Sequence, residues 1–231
     1  SPAPVAEAQW TVVNLHPPTA TNSSQAYAVR QGQQVGFVQV FALSPSASLW
    51  TGTPASWINL APPGAVRSEA LDVEDGVQVG YMASADTGDR AAMWTGTAAS
   101  WVNLNPEGAR DSRASAISDG RQGGYVSIND QLRATLWNGT PASWVDMHPP
   151  GAMRSSISGM GDGQQVGNAL FGMEDHAILW SGTPDSWTDL HPTGSTLSFA
   201  MGVSDGQQTG AAYFGSAFHA GLWRGTAASW V

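Results

Sequence analysis

Short apolar runs separated by glycine-bearing turns follow one another along the chain, and the frequent Gly and Pro argue against helices. Between Trp57 and Ser100 the pattern predicts a strand over 68–73, a turn at Glu74-Asp75-Gly76, and a strand over 78–82. A loop over 86–89, a strand over 90–94 and a fourth strand over 101–104 complete the unit. The Asp-Gly pairs at 75–76, 119–120, 162–163 and 205–206 fit tight hairpins, in which glycine supplies the positive φ. Calcium-loop ligand spacing is absent around them.

The unit repeats. The stretch Leu-Trp-Ser-Gly-Thr-Pro-Asp-Ser-Trp at 179–187 recurs at 49–57, 93–101, 136–144 and 222–230 as apolar-Trp-x-Gly-Thr-x-x-Ser-Trp, on a beat of about 43 residues. A serine precedes each hairpin turn (Ser24, Ser68, Ser112, Ser155, Ser198). A glutamine (34, 78, 122, 165, 208) and a glycine (36, 80, 124, 167, 210) follow it. Four strands in such a period read as a propeller blade. The expectation is an all-β fold, a five-bladed β-propeller with four antiparallel strands per blade, as a single domain over 1–231. Its units lie at approximately 10–56, 57–100, 101–143, 144–186 and 187–231. The segment Trp10-Thr-Val-Val-Asn-Leu-His-Pro17 matches the fourth strand and loop of the other units, and Trp230-Val231 stands where that strand begins. The N-terminal strand is therefore expected to complete the last blade and close the ring, with a bulge or Val12 in the tryptophan slot. Residues 1–9, lacking a basic start and an apolar centre, are read as a flexible leader rather than an intact signal peptide.

Val203-Ser-Asp-Gly-Gln-Gln-Thr-Gly210, followed by His219-Ala-Gly-Leu-Trp223, resembles the HAF-type extracellular repeat, as does His176-Ala-Ile-Leu-Trp180. The likeness runs through all five units, although the histidine becomes Ser46, Arg90 or Arg133 in three of them. The resemblance implies secretion, to an extracellular or periplasmic location, and brings no established chemistry.

Composition narrows the possible partners. Nine basic residues, every one an arginine, stand against eighteen acidic ones, for a formal charge of −9. There is no basic stripe to displace the counterions of a nucleic acid. With no lysine, Schiff-base and P-loop chemistry are excluded; with no cysteine, so are disulfides, thiolate metal sites and a thiol nucleophile. No apolar run is long enough to span a membrane as a helix.

The tryptophans read first as core, since leaving ten of them exposed would forfeit burial and create adhesive patches. The repeated Ser and Gln have two readings, a ligand contact copied five times or partners for backbone and indole groups between blades. His16, His148 and His191 share one loop position, where rotational symmetry would hold them apart, and His176 and His219 are likewise expected to stand apart. No metal or cofactor is expected. Acids on the innermost strand occur only at Glu69 and Asp72, which lie three apart and so should face opposite sides of a regular strand. That is not the facing carboxylate pair of a glycosidase.

The leading expectation is a secreted, non-catalytic, lectin-like binding module with repeated weak sites on the loop face, strengthened by avidity. It would take a glycan or small polar ligand through Arg67, Glu69, Asp72, Arg110, Arg113 and Arg154 together with His16, His148 and His191. A structural or protein-interaction scaffold is the alternative, and a polysaccharide-acting hydrolase a more remote one.

Overall fold

A computed structural model describes residues 11–20, 22–40 and 44–231; the expected leader and Trp10 lie outside them. Five antiparallel sheets follow one another along the chain. The first contains β1 (Ser24–Arg30), β2 (Gln33–Val38), β3 (Ser46–Trp50) and β4 (Ile58–Asn59). The second contains β5 (Ala65–Glu74), β6 (Val77–Ser84), β7 (Arg90–Trp94) and β8 (Val102–Asn103), and the third β9 (Asp111–Ser118), β10 (Arg121–Ile128), β11 (Gln131–Trp137) and β12 (Val145–Asp146). The fourth contains β13 (Arg154–Gly161), β14 (Gln164–Phe171), β15 (Glu174–Trp180) and β16 (Thr188–Asp189), and the fifth β17 (Leu197–Ser204), β18 (Gln207–Phe214) and β19 (Ala217–Trp223). Each is a meander in sequence order, and β1, β5, β9, β13 and β17 pack each on the next, so the sheets stack in chain order.

The repeated residues shape the meander. In each Asp-Gly hairpin both residues have positive φ, from 49° at Asp75 to 78° at Gly76, as a type I′ turn requires. The first strand of every sheet then skips a residue in the ladder, leaving Tyr27, Leu71, Ser115, Ser158 and Met201 unpaired as bulges. Next to each bulge lies the repeated glycine. A Cβ at Gly36, Gly80, Gly124, Gly167 or Gly210 would overlap the carbonyl oxygen of Gln25, Glu69, Arg113, Ser156 or Phe199. Close backbone approach, and not turn geometry, accounts for that glycine.

The Gly-Thr-x-x-Ser motif is a single 3-10 turn bracketed by its serine. Ser56 Oγ accepts the amide of Thr51 at 2.8 Å and donates to the Thr53 carbonyl at 2.7 Å, and Ser100, Ser143, Ser186 and Ser229 repeat both bonds. The repeated glutamine ties this turn to the hairpin. Gln78 accepts the Gly96 amide at 2.8 Å and donates to the Gly76 carbonyl at 2.8 Å, and the other four glutamines do the same.

The core lies between sheets. Val35, Ala47, Leu49 and Leu60 of the first sheet meet Ala70, Val73, Met82, Ala92 and Trp94 of the second, and three further junctions repeat the arrangement. Trp50, Trp94, Trp137, Trp180 and Trp223 are at most 1% exposed. At about 25 cal/mol per Å², each indole contributes roughly 4–6 kcal/mol of transfer free energy as an upper bound. Across each junction a buried serine accepts a backbone amide: Ala47 to Ser68, Ala91 to Ser112, Ala134 to Ser155 and Ala177 to Ser198, at 2.8–2.9 Å. The repeated Ser and Gln therefore satisfy backbone.

At the two ends of the stack the described residues show less of the expected pattern. Thr11–Leu15 form no strand, Val12 is 96% exposed, and the fifth sheet has three strands. The slot foreseen for the N-terminal strand is taken at its first rung by Val231, which exchanges two backbone bonds with Leu222 at 3.0 and 3.1 Å. That rung matches the Leu49–Ile58 pairing of the first sheet.

Two substitutions should separate these contributions when urea denaturation is followed by tryptophan fluorescence. Gly124→Ala drives a Cβ into the Arg113 carbonyl and is expected to cost about 3 kcal/mol or more. Ser155→Ala leaves the Ala134 amide buried without its partner and should cost about 1–3 kcal/mol.

Candidate functional site

The loops that lead into the inner strands and those joining second to third strands meet on one face, tied by repeated Arg–Asp pairs. Arg67 reaches Asp89 at 2.5 Å, Arg110 reaches Asp111 at 2.8 Å and Asp130 at 2.5 Å, and Arg154 reaches Asp175 at 2.8 Å. In the first three sheets this face carries a cluster that does not repeat elsewhere. Asp89, almost buried, also accepts two bonds from Arg113, from Nε at 2.7 Å and Nη2 at 2.5 Å. The Arg113 guanidinium lies 4.1 Å from the centre of the Tyr81 ring, and Arg67 lies 5.9 Å from it. Tyr27 donates to Glu69 at 2.9 Å, and Tyr81 also hydrogen-bonds Glu69. Burial, reinforced by that carboxylate, pushes the Tyr27 phenol up to about 12 and raises Tyr81 as well. Both rings therefore remain protonated donors at neutral pH.

Arg67, Glu69 and Arg113 are thus brought into one cluster, while Arg110 and Arg154 stand at separate pairs along the same face. Glu69 and Asp72 do not face opposite sides as a regular strand would have them. The bulge at Leu71 changes the parity, so they pair with Tyr81 and Val79, two apart on β6. Asp72 is committed to backbone, accepting the amides of Val73 at 2.8 Å and, across the junction, Ile117 at 2.9 Å. Burial raises its pKa.

The loop histidines are braces. Nδ1 of His16, His148 and His191 bonds the repeated serine Oγ (Ser24, Ser155, Ser198) at 2.7–2.9 Å. Nε2 of His148 and His191 meets the carbonyls of Ala152 and Ser195 at 2.9 and 3.0 Å. Such a Ser–His contact has the look of a nucleophile and base, yet Ser155 is 2% exposed and already accepts the Ala134 amide. No carboxylate orients the ring's other nitrogen, and the arrangement recurs at Ser198. His176 and His191, of the same unit, come together: β15 and the loop after β16 are adjacent, and the rings stack with centroids 4.0 Å apart. Among the described residues, Glu174, His176 and His191 are the group whose ligand atoms come within 4.8 Å of one another. Both nitrogens of His191 are engaged in protein hydrogen bonds, and Nδ1 of His176 bonds Asp189 at 2.8 Å, so the group offers no convergent set of free lone pairs.

A second feature recurs with the fold. The second tryptophans, Trp57, Trp101, Trp144, Trp187 and Trp230, are half-buried. Beside Trp101 lies a depression of about 270 Å³ lined by Pro63, Gly64, Ser84, Thr87, Arg90 and Asn103. One repeat later a depression of about 470 Å³ lies beside Trp144, lined by Asn105, Pro106, Glu107, Pro141 and Ala142. In both, a partly buried indole stands beside the loop that leads into its own sheet, Pro63-Gly64 or Asn105-Pro106-Glu107.

Tyr27, Tyr81 and Asp89 are not among the candidates the sequence singles out. Tyr81 follows the repeated glycine as Phe37 and Tyr125 do, and Asp89 aligns with Asp175; Tyr27 alone of the three departs from its aligned positions, Leu71, Ser115, Ser158 and Met201. No family profile and no curated protein matches this chain.

Burial lowers the pKa of His148 and His191 below the ordinary value of 6.5. The unfolded chain then binds more protons than the folded one as pH falls through 6.5, so stability present above that pH is lost below it. Urea midpoints should fall between pH 7 and pH 5, and His148→Gln with His191→Gln should flatten that slope relative to the parent chain.

Proposed function

We propose that the five sheets are propeller-type blades of a HAF-like repeat protein acting as a secreted, non-catalytic, lectin-like binding module. The observation that carries this reading is a depression between a partly buried tryptophan and a proline-bearing loop between sheets, present at Trp101 and, with a different remaining lining, at Trp144. A saccharide presents an apolar C–H face and a rim of hydroxyls. An indole takes the first, and Arg90, Asn103, Ser84 and Thr87 are suited to the second. The Tyr27–Glu69–Tyr81 cluster, with Arg113 over the Tyr81 ring, adds a non-repeating polar and aromatic surface of the same chemistry.

Shallow, open sites of this size hold a sugar weakly, and several on one rigid frame act together through avidity. Catalysis finds less support. Glu69 is held by two phenols, Asp89 by two guanidinia and Asp72 by two amides, which leaves none of the three as a free acid or base.

A glycan array followed by calorimetry tests the reading. Binding with more than one site per chain is expected, and Asn103→Ala and Glu107→Ala, both at surface positions, should each weaken it about tenfold or remove one site. Silence across the array would favour a protein-interaction scaffold, and turnover of a bound glycan would sink the non-catalytic assignment.

A further inference from the structure

Building on the sugar-site reading, we propose that the depression beside Trp101 binds one acidic saccharide ring, with its carboxylate held by Arg90 and Asn103. The neighbouring sheets supply the template, because they fill the same place with their own side chains. Ser84, at the end of β6, lines the depression. At the aligned place the third sheet has Ile128 and the fourth Phe171, both packed against the apolar junctions of their sheets. Phe171 stacks on Trp187, with centroids 6.0 Å apart and planes 25° apart, and Phe214 lies 6.2 Å from Trp230 in the fifth sheet. Ser84 is too short to do the same for Trp101, and the depression of about 270 Å³ is the space left. That is smaller than the roughly 300–1,000 Å³ of sites for drug-sized ligands, so it suits one ring rather than a length of glycan chain.

A second departure from the repeat leaves a charge unpaired. Arg133 of β11 gives Nε and Nη2 to Asp146 of β12 at 2.9 and 2.6 Å, and His176 of β15 bonds Asp189 of β16 at 2.8 Å. The aligned residues of the second sheet are Arg90 and Asn103, a cation beside a neutral amide. Asn103 Oδ1 accepts the Asn105 amide at 2.9 Å, as Asp146 and Asp189 accept those of His148 and His191. Its Nδ2 donor therefore stands where the other two sheets have the carboxylate oxygen that meets the cation. Nη1 of Arg90 is anchored on the carbonyls of Ala109 and Arg110 at 2.8 and 2.9 Å, and among the described residues Arg90 has no ion pair. Arg90 and Asn103 both line the depression, and no lining residue offers them a carboxylate.

A uronic acid ring answers both departures at once. Its C–H face lies on the Trp101 indole as the Phe171 ring lies on that of Trp187. Its carboxylate takes the part of Asp146 or Asp189, accepting charge-assisted bonds from Arg90 and Asn103. Its hydroxyls meet Ser84 and Thr87 at the rim. The chain's net charge of −9 opposes an anion at long range, but at physiological ionic strength that field is screened beyond about 8 Å. Contacts at hydrogen-bond distance escape the screening.

Calorimetric titration of the 231-residue chain with paired methyl glycosides tests this, glucuronate against glucose and galacturonate against galactose. The acidic member of at least one pair should bind at least about tenfold tighter than its neutral partner, and less so in high salt. Asn103→Asp supplies the carboxylate that the third and fourth sheets carry and should remove that preference. Ser84→Phe fills the depression from within, as Phe171 does, and should abolish binding of the acid. Both variants copy sister sheets, so circular dichroism should show an unchanged fold, and the parent titrations decide even where a variant does not fold. Equal affinity within both pairs would overturn the acidic ligand and leave the sugar reading standing. An acidic preference that survives Asn103→Asp would place the carboxylate elsewhere and overturn the assignment. If neither member of either pair binds, the proposal fails, and the wider glycan array decides the sugar reading separately. Benzoate binding where the uronates do not would also sink it, in favour of an aromatic acid, and would count against a sugar site.

Discussion

A sheet of this protein cannot bury its own apolar faces, so every structural feature answers to the junction between one sheet and the next. Each internal junction seals a fully buried tryptophan against small aliphatic residues and passes one backbone amide to a serine of the following sheet. The transfer free energy of the indole drives the contact. The serine fixes its register, because a buried amide that missed its acceptor would cost more than the bond itself contributes. The glycine beside each bulge belongs to the same constraint, since it lets the inner strand bend sharply without its neighbour's Cβ in the way.

That economy explains why most repeated polar residues are not ligand contacts. Ser, Gln and the loop histidines each hold backbone groups that irregular loops and edge strands would otherwise leave unpaired. Function has to be sought where the repeat leaves space or breaks step. Space is left beside two of the second tryptophans, Trp101 and Trp144. The break in step is the group of Glu69, Tyr81, Asp89 and Arg113, supplied by two adjacent sheets and absent from the others.

The repeat period, the strand count per unit, the hairpin turns and the burial of the first tryptophans were all legible along the chain. Each follows from local spacing: alternation of apolar positions, glycine where φ is positive, and aromatic residues too large to leave in water. The candidate site was legible only in part. Arg67, Glu69 and Arg113 could be placed near one another because they share an aligned strand. Their partners Asp89 and Tyr27 could not, since one lies on a loop of variable length and the other is the bulged residue itself.

The sequence by itself determined five copies of one meander and the residues that tie each to the next, because those interactions are set by short separations repeated along the chain. Tertiary structure alone decided that a bulge turns Glu69 and Asp72 to one side and that His176 and His191 stack. The reason is physical. A period specifies how neighbours pack, whereas the parity change at a bulge and the meeting of two loops depend on coordinates that no spacing encodes.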